Sequence, residues 1–178
     1  YWKTKWAMKL HCLFNVKDQI PEFIILTEWE PNDGRIIREE PLYISSDSIV
    51  SMDRAYIDYN WLVKEFVKEW RTYVIKTKKN HNFAVLENHA VDEEWIISDQ
   101  TVAILWENAM EKYPYDVRVV KYYDKHYNVE QTYFTNNFEL SAGTIAEIHK
   151  SRWQIELFFK WIKQNLKIKT FLWTSINA

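Results

Sequence analysis

The sequence predicts an α/β fold, a mixed sheet flanked by helices, on three observations. Residues 48–76 read as strand, amphipathic helix and strand; residues 78–137 are rich in β-prone segments joined by polar turns; and a long amphipathic helix starts at Ser141. At 178 residues, with 47% hydrophobic and 27% charged residues and a net charge of -2, the chain suits one domain, or one domain with a modest insertion. That balance excludes a disordered or collagen-like chain. Ten Trp stand against two Gly, Gly34 and Gly143, where average usage of about 7% would give roughly a dozen glycines. Tight turns must therefore be made by other residues, or be few.

Taken in order, Ala7 to Val16 is apolar and β-prone, Val16-Lys17-Asp18-Gln19 turns, and Phe23 to Thr27 forms the second arm of a hairpin. Pro31-Asn32-Asp33-Gly34 punctuates the chain, and a short helix is expected over Gly34 to Glu40 before Pro41 interrupts it. Ser48 to Met52 is a short strand that ends at Asp53, a place where α/β sheets commonly carry site residues. Asp58 suits the N-cap of a helix to Trp70, because Tyr59, Leu62, Val63, Phe66 and Trp70 recur with helical spacing. Thr72 to Lys76 returns as a strand, which predicts parallel pairing. Beyond it, Trp95 to Ile97, Thr101 to Trp106, Asp116 to Tyr123 and Val129 to Thr135 read as strands, the last two as a hairpin around Asp124 to Asn128. Ser141 then caps a helix that continues, with a possible break, to about Lys167.

A single cysteine, Cys12, excludes an internal disulfide and a multi-cysteine zinc site, and it fits a reducing compartment. No apolar run approaches the roughly 18 residues of a membrane span, so a soluble cytoplasmic protein is expected. Charge is segregated. Residues 1–17 carry Lys3, Lys5, Lys9 and Lys17 without an acid, and residues 61–80 carry Lys64, Lys68, Arg71, Lys76, Lys78 and Lys79 against Glu65 and Glu69. The segment from Ser151 adds Arg152, Lys160, Lys163, Lys167 and Lys169 against Glu156. Each island alone reads as a solvated face; together, around an acidic centre, they suit a protein that holds a polyanion.

On a helix turning 100° per residue, His149, Arg152, Glu156 and Lys163 fall within about 60° of one another. Beside them Ile155, Phe158, Phe159, Ile162 and Leu166 form an apolar stripe, which puts the polar stripe at the border of the buried face. An acid between an arginine and a lysine is placed to face a shared ligand, and from spacing alone a ladder of surface ion pairs accounts for the stripe as well. His81 and His89 flank Glu87 without the spacing of a metal site, Asp92-Glu93-Glu94 reads as a solvated turn, and most Trp read as core.

The segment Ile145 to Leu166, with His149-Lys150-Ser151-Arg152-Trp153-Gln154-Ile155-Glu156 and then Lys163, resembles the signature helix of the DDE transposases of bacterial insertion sequences, in the insertion-sequence-4-like group whose signature reads Y-x2-R-x3-E-x6-K. Arg152, Glu156 and Lys163 match at the required spacing, and His149 stands at the Tyr position. Met52-Asp53-Arg54-Ala55-Tyr56 is similar to the segment around the family's second catalytic aspartate, normally Asp-Arg-Gly-Tyr. Lys9-Leu10-His11 through Ile20-Pro21 is similar to the hairpin after the family's first catalytic strand, and Phe134-Thr135-Asn136-Asn137-Phe138 leads into the signature helix in the same way.

The resemblance implies an RNase H-like core interrupted by a β-rich insertion: residues 1–77 as the first part of the core, 78–137 as the insertion, and 138–178 as the signature helix and the start of a C-terminal helical region. It implies Asp53 and Glu156 as catalytic, metal-holding carboxylates, and His149, Arg152 and Lys163 as DNA-binding residues. It also implies two Mg2+ or Mn2+ ions, about 3.5–4 Å apart in such sites, that activate a water or a DNA 3′-hydroxyl. The implied partners are transposon-end and target DNA and a second copy of the chain on paired ends, with no membrane and no small-molecule cofactor; a nucleoid location follows. The family's first catalytic aspartate lies ahead of the Lys-Leu-His hairpin, so this chain is expected to carry two of three carboxylates and to be inactive as a fragment. The alternatives are a DNA-binding transposase relic without catalysis and another RNase H-like nuclease. Ala55 in place of glycine is strained only if the backbone there needs positive φ.

Overall fold

Asn15 makes the first turn of the chain without a glycine. Its side-chain oxygen accepts the N–H groups of Lys17 and Asp18, each at 3.0 Å, and Gln19 takes the left-handed conformation at φ 58°. Strands β1 (Met8–Asn15) and β2 (Ile20–Glu28) pair antiparallel on either side of it, with a bulge between Leu13 and Phe14. In the computed structural model the described residues are 8–28, 44–77, 82–105 and 108–165. The helix expected over Gly34 to Glu40 and the end of the signature helix past 165 lie outside them, as do Trp2, Trp6, Trp29, Trp106, Trp173 and His81. The chain forms two compact units: residues 1–40 with 151–178, and residues 41–150.

The second unit holds a six-stranded mixed sheet of β3 (Ile49–Met52), β4 (Thr72–Lys76), β5 (Phe83–Asn88), β6 (Ile96–Ile104), β7 (Val117–Asp124) and β8 (Val129–Thr135), in the order β3-β4-β8-β7-β6-β5. β3 and β4 are parallel, in register from Ile49 opposite Thr72 to Met52 opposite Ile75. The other neighbours are antiparallel. The strands of segment 78–137 are therefore hydrogen-bonded into the same sheet as β3 and β4, through β8 against β4. The β7–β8 turn repeats the chemistry of the first: Asp124 Oδ1 accepts from His126 N and Tyr127 N, and Asn128 is left-handed at φ 53°.

Tyr73, Val74 and Ile75 are all buried, because both faces of the central strands are covered. On one face Val74, Ile96, Val120, Tyr122 and Tyr133 pack under Ile145 and Ala146 of a helix over Ala142–Ser151. On the other, Phe66 and Tyr73 meet edge to face at 5.7 Å, and Tyr73 and Tyr113 share a hydroxyl hydrogen bond of 2.7 Å. Tyr59 packs on Tyr113 at 6.0 Å.

The helix expected from Asp58 to Trp70 starts as expected, with Asp58 Oδ1 accepting from Trp61 N at 3.0 Å, but does not run through. An α-turn, α1 (Tyr59–Leu62), widens into a π-turn over Val63–Val67. The wider turn brings residues five apart together, which is why Trp61 is buried against Phe66 at 5.2 Å. The helix ends in a Schellman motif: Arg71 N donates to Phe66 O at 2.9 Å and Trp70 N to Val67 O at 3.4 Å. Trp70 occupies the left-handed position at φ 57° and is 90% exposed, so it leaves the face that its spacing assigned it. Four other tryptophans are described: Trp61 is buried, and Trp95, Trp153 and Trp161 are exposed, against the expectation of a mostly buried set. A further described helix of this unit is α2 (Ala109–Lys112), and no described helix is long and apolar enough to cross a membrane.

Two outcomes are expected. Trp70→Gly raises stability to urea by about 0.5–1 kcal/mol, because glycine takes the left-handed position without strain at some gain in unfolded-chain entropy. Burial raises the pKa of Tyr59 and Tyr113 to about 12 and that of Tyr73 well above the ordinary value. The neutral forms are the folded ones, so their contribution is full below about pH 10 and is lost as pH rises through the folded values, at about 1.4 kcal/mol per pH unit for each group. Absorbance at the tyrosinate band, followed with circular dichroism, should show these three ionising together with unfolding, and Tyr73→Phe should flatten the slope by about one proton.

Candidate functional site

Asp53 follows the last residue of β3, where the parallel pairing with β4 ends. It is half-buried with an ordinary extended backbone, φ -75° and ψ 158°, and heads a 3₁₀ turn over Arg54–Tyr56 in which Tyr56 N donates to Asp53 O at 3.1 Å. Its carboxylate makes no capping hydrogen bond. Ala55 is not among the residues with positive φ, so alanine stands there without strain.

The signature residues fall on two helices. α3 (Ala142–Ser151) carries His149, and α4 (Trp153–Asn165) carries Glu156 and Lys163. Arg152 sits at the break, its carbonyl accepting the first bond of α4 from Ile155 N at 3.1 Å. A new helix start places Glu156 in a first turn, where the helix dipole favours an acid. Arg152 Nη2 donates to Glu156 Oε1 at 2.9 Å, with both side chains between a fifth and a third exposed. In the same unit Phe158 packs on Phe14 of β1 at 5.1 Å, and Gln19 donates to Gln154, which seats α4 on the hairpin. Lys163 is exposed, and partial burial holds its pKa below the ordinary lysine value. Trp153, Leu157 and Trp161, spaced four apart, are exposed on α4.

His149 is 6% exposed and lies against Tyr133 at 4.7 Å, at a 31° tilt. Asp53 and His149 belong to the unit of residues 41–150, and Arg152, Glu156 and Lys163 to the other. Asp53 and Glu156 present the hard oxygen donors that magnesium and manganese take. Among the described residues, no three or more His, Cys, Asp or Glu gather into a metal cluster. The basic island of 61–80 is partly neutralised, since Glu65 pairs with Lys64 at 3.2 Å and with Arg71 at 3.7 Å.

Three residues around the start of α3 carry no signature spacing. Arg118, buried in β7, donates to Asp99 through Nε at 2.8 Å and Nη2 at 2.6 Å, and through Nη1 to the carbonyls of Asn137 and Leu140 at 3.2 and 2.6 Å. Glu93, expected in a solvated turn, is half-buried and accepts Gly143 N–H and the Trp95 indole N–H, each at 3.1 Å. The available signal was a lone arginine within Val117-Arg118-Val119-Val120, since a charge in an apolar strand needs a partner.

A family model, the Transposase DDE domain, matches residues 2–178. A Sinorhizobium fredii protein named as transposase y4zB is 31% identical over 97% of this chain and 48% of its own length. A Geobacillus stearothermophilus protein named as a transposase for insertion sequence element IS5377 is 27% identical over 97% of this chain and 45% of its own length. A Synechocystis protein named as a transposase for insertion sequence element IS4SA is 27% identical over 99% and 51%. No solved structure matches the chain. The chain belongs to the DDE transposase family, and it spans about half the length of the curated relatives it matches.

The Arg152–Glu156 pair is a partly exposed i,i+4 contact, worth a few tenths of a kcal/mol, and the Asp53 carboxylate caps nothing. Asp53→Asn and Glu156→Gln are therefore each expected to stay within about 0.5 kcal/mol of the parent in urea unfolding. A larger loss would mark either carboxylate as structural.

Proposed function

We propose that this chain supplies the DNA-holding and part of the catalytic surface of an insertion-sequence transposase, which cleaves phosphodiesters at transposon ends and transfers the strands to target DNA. The observation that carries the reading is the Arg152–Glu156 pair at the start of α4 with Lys163 two turns on, in a chain matched from 2 to 178 by the DDE domain. The fold class beneath it is RNase H-like, with residues 78–137 as the β-rich insertion and 138–178 as the signature region.

In this reading Asp53 and Glu156 are catalytic carboxylates that would hold Mg2+ or Mn2+. When bound, such an ion polarises the scissile phosphate and lowers the pKa of an attacking water. The chain's own residues do the rest. Arg152 matches the planar, two-oxygen face of a phosphate, and Lys163 offers a point charge, whose pKa a neighbouring phosphate would raise again. Arg152 is shared: released from Glu156 by phosphate, it frees that carboxylate for a cation. His149, which the resemblance gives as a DNA-binding residue, is buried against Tyr133, and in this scheme it serves DNA binding by holding α3 in place rather than by direct contact. Two copies of the chain on paired ends form the working complex.

The test is fluorescence anisotropy of the chain with an end-sequence duplex across a salt series. The logarithm of affinity should fall linearly with the logarithm of salt, and Arg152→Ala and Lys163→Ala should each weaken binding and reduce the slope by about 1. Salt-insensitive binding, or none at low salt, overturns the reading.

A further inference from the structure

We propose that Glu93 and Arg118 are positioning residues: a two-point latch from the β-rich segment that fixes the entry of α3, the helix that runs into Arg152. This rests on the DNA-binding reading above. Arg118 holds the chain just before the helix through the carbonyls of Asn137 and Leu140, and is itself held by Asp99. Asn137 closes the same loop, its side chain accepting from Glu139 N and Leu140 N. Glu93 takes the N–H of Gly143 in the first turn, where Ser141 Oγ already accepts from Thr144 N.

Gly143 is what leaves room for the Glu93 carboxylate at this point. A Cβ there would lie 1.9 Å from Glu93 Oε2 and 2.6 Å from its Cδ, so no other residue fits while Glu93 is in place. The backbone gives no other reason for glycine, since no glycine among the described residues has positive φ. Glycine inside a helix weakens it, yet one of the two glycines of the chain is kept there.

The apolar contacts of Ile145 and Ala146 with Val74, Val120 and Tyr133 hold α3 to the sheet, but apolar attraction is not directional. A helix slipping one turn along it moves about 5.4 Å. Hydrogen bonds with fixed geometry at its start set the register, and with it where α3 seats His149 against Tyr133.

The experiment compares the parent 178-residue chain with Gly143→Ala, Glu93→Ala/Gly143→Ala and Arg118→Lys. Gly143→Ala expels Glu93 but brings a better helix former, so its denaturation midpoint should stay near the parent's. In that variant, amide exchange in the first turn of α3 should rise about tenfold with β7 and β8 unchanged, and end-duplex affinity should fall about threefold or more. The double variant makes room for the methyl yet should not regain affinity. Arg118→Lys keeps a charge for Asp99 but cannot also reach both carbonyls, and should show the same local exchange. Unchanged exchange in α3, equal loss across β7 and β8, or restored affinity in the double variant overturns the latch. If the parent itself fails to bind DNA at low salt, the DNA reading fails, and the exchange pattern alone decides the latch.

Discussion

The buried Asp99–Arg118 pair is the constraint around which the larger unit is arranged. Both side chains are about 5% exposed, and they meet through two bonds of 2.8 and 2.6 Å. Removing two ions from water costs several kcal/mol each, and only full use of their hydrogen-bonding capacity offsets that. The guanidinium meets the demand by taking a carboxylate from β6 and two carbonyls from the loop after β8. Three pieces of chain distant in sequence are thus tied at one point. Apolar residues in their place would fill the space and leave Asn137 O and Leu140 O unbound, so the loop ahead of α3 depends on the charge itself.

The shortage of glycine is met locally. Among the described residues, the four left-handed positions are held by Gln19, Trp70, Asn108 and Asn128. Asparagine adopts this conformation at little penalty, and the β1–β2 and β7–β8 turns are each first closed by a side chain, Asn15 or Asp124, accepting backbone N–H groups. Those turns were legible because Asn and Asp advertise them. Trp70 was not, because its spacing continues the apolar series Tyr59, Leu62, Val63, Phe66. Nothing in that series signals a π-turn, which moves the core side from Trp70 to Trp61.

Strand positions were legible wherever β-branched residues cluster, and the parallel β3–β4 pair follows from the helix between them. Sheet order was not, since the joint of β8 to β4 is made by pairing Val74 with Thr135, a match of sequence-distant residues that no local pattern encodes. The candidate site divides in the same way. The Arg152–Glu156 pair was readable because i,i+4 is a local spacing. Glu93 was misread as solvated because its partner, Gly143, is fifty residues away and carries no side chain to announce a contact.

The break at Arg152 changes what the signature spacing means. A continuous helix would leave Glu156 mid-helix, its charge unaided by the backbone. Restarting at Trp153 gives Glu156 the positive end of a fresh dipole, and the side chain of Arg152 at the boundary adds a guanidinium. The same break divides the polar stripe: His149 turns inward onto Tyr133 with α3, while Arg152 and Glu156 stay partly exposed. A stripe that is uniform at 100° per residue is thus buried before the break and partly exposed, charged and paired after it. The acid and the arginine are paired at 2.9 Å, and both stay partly in contact with solvent.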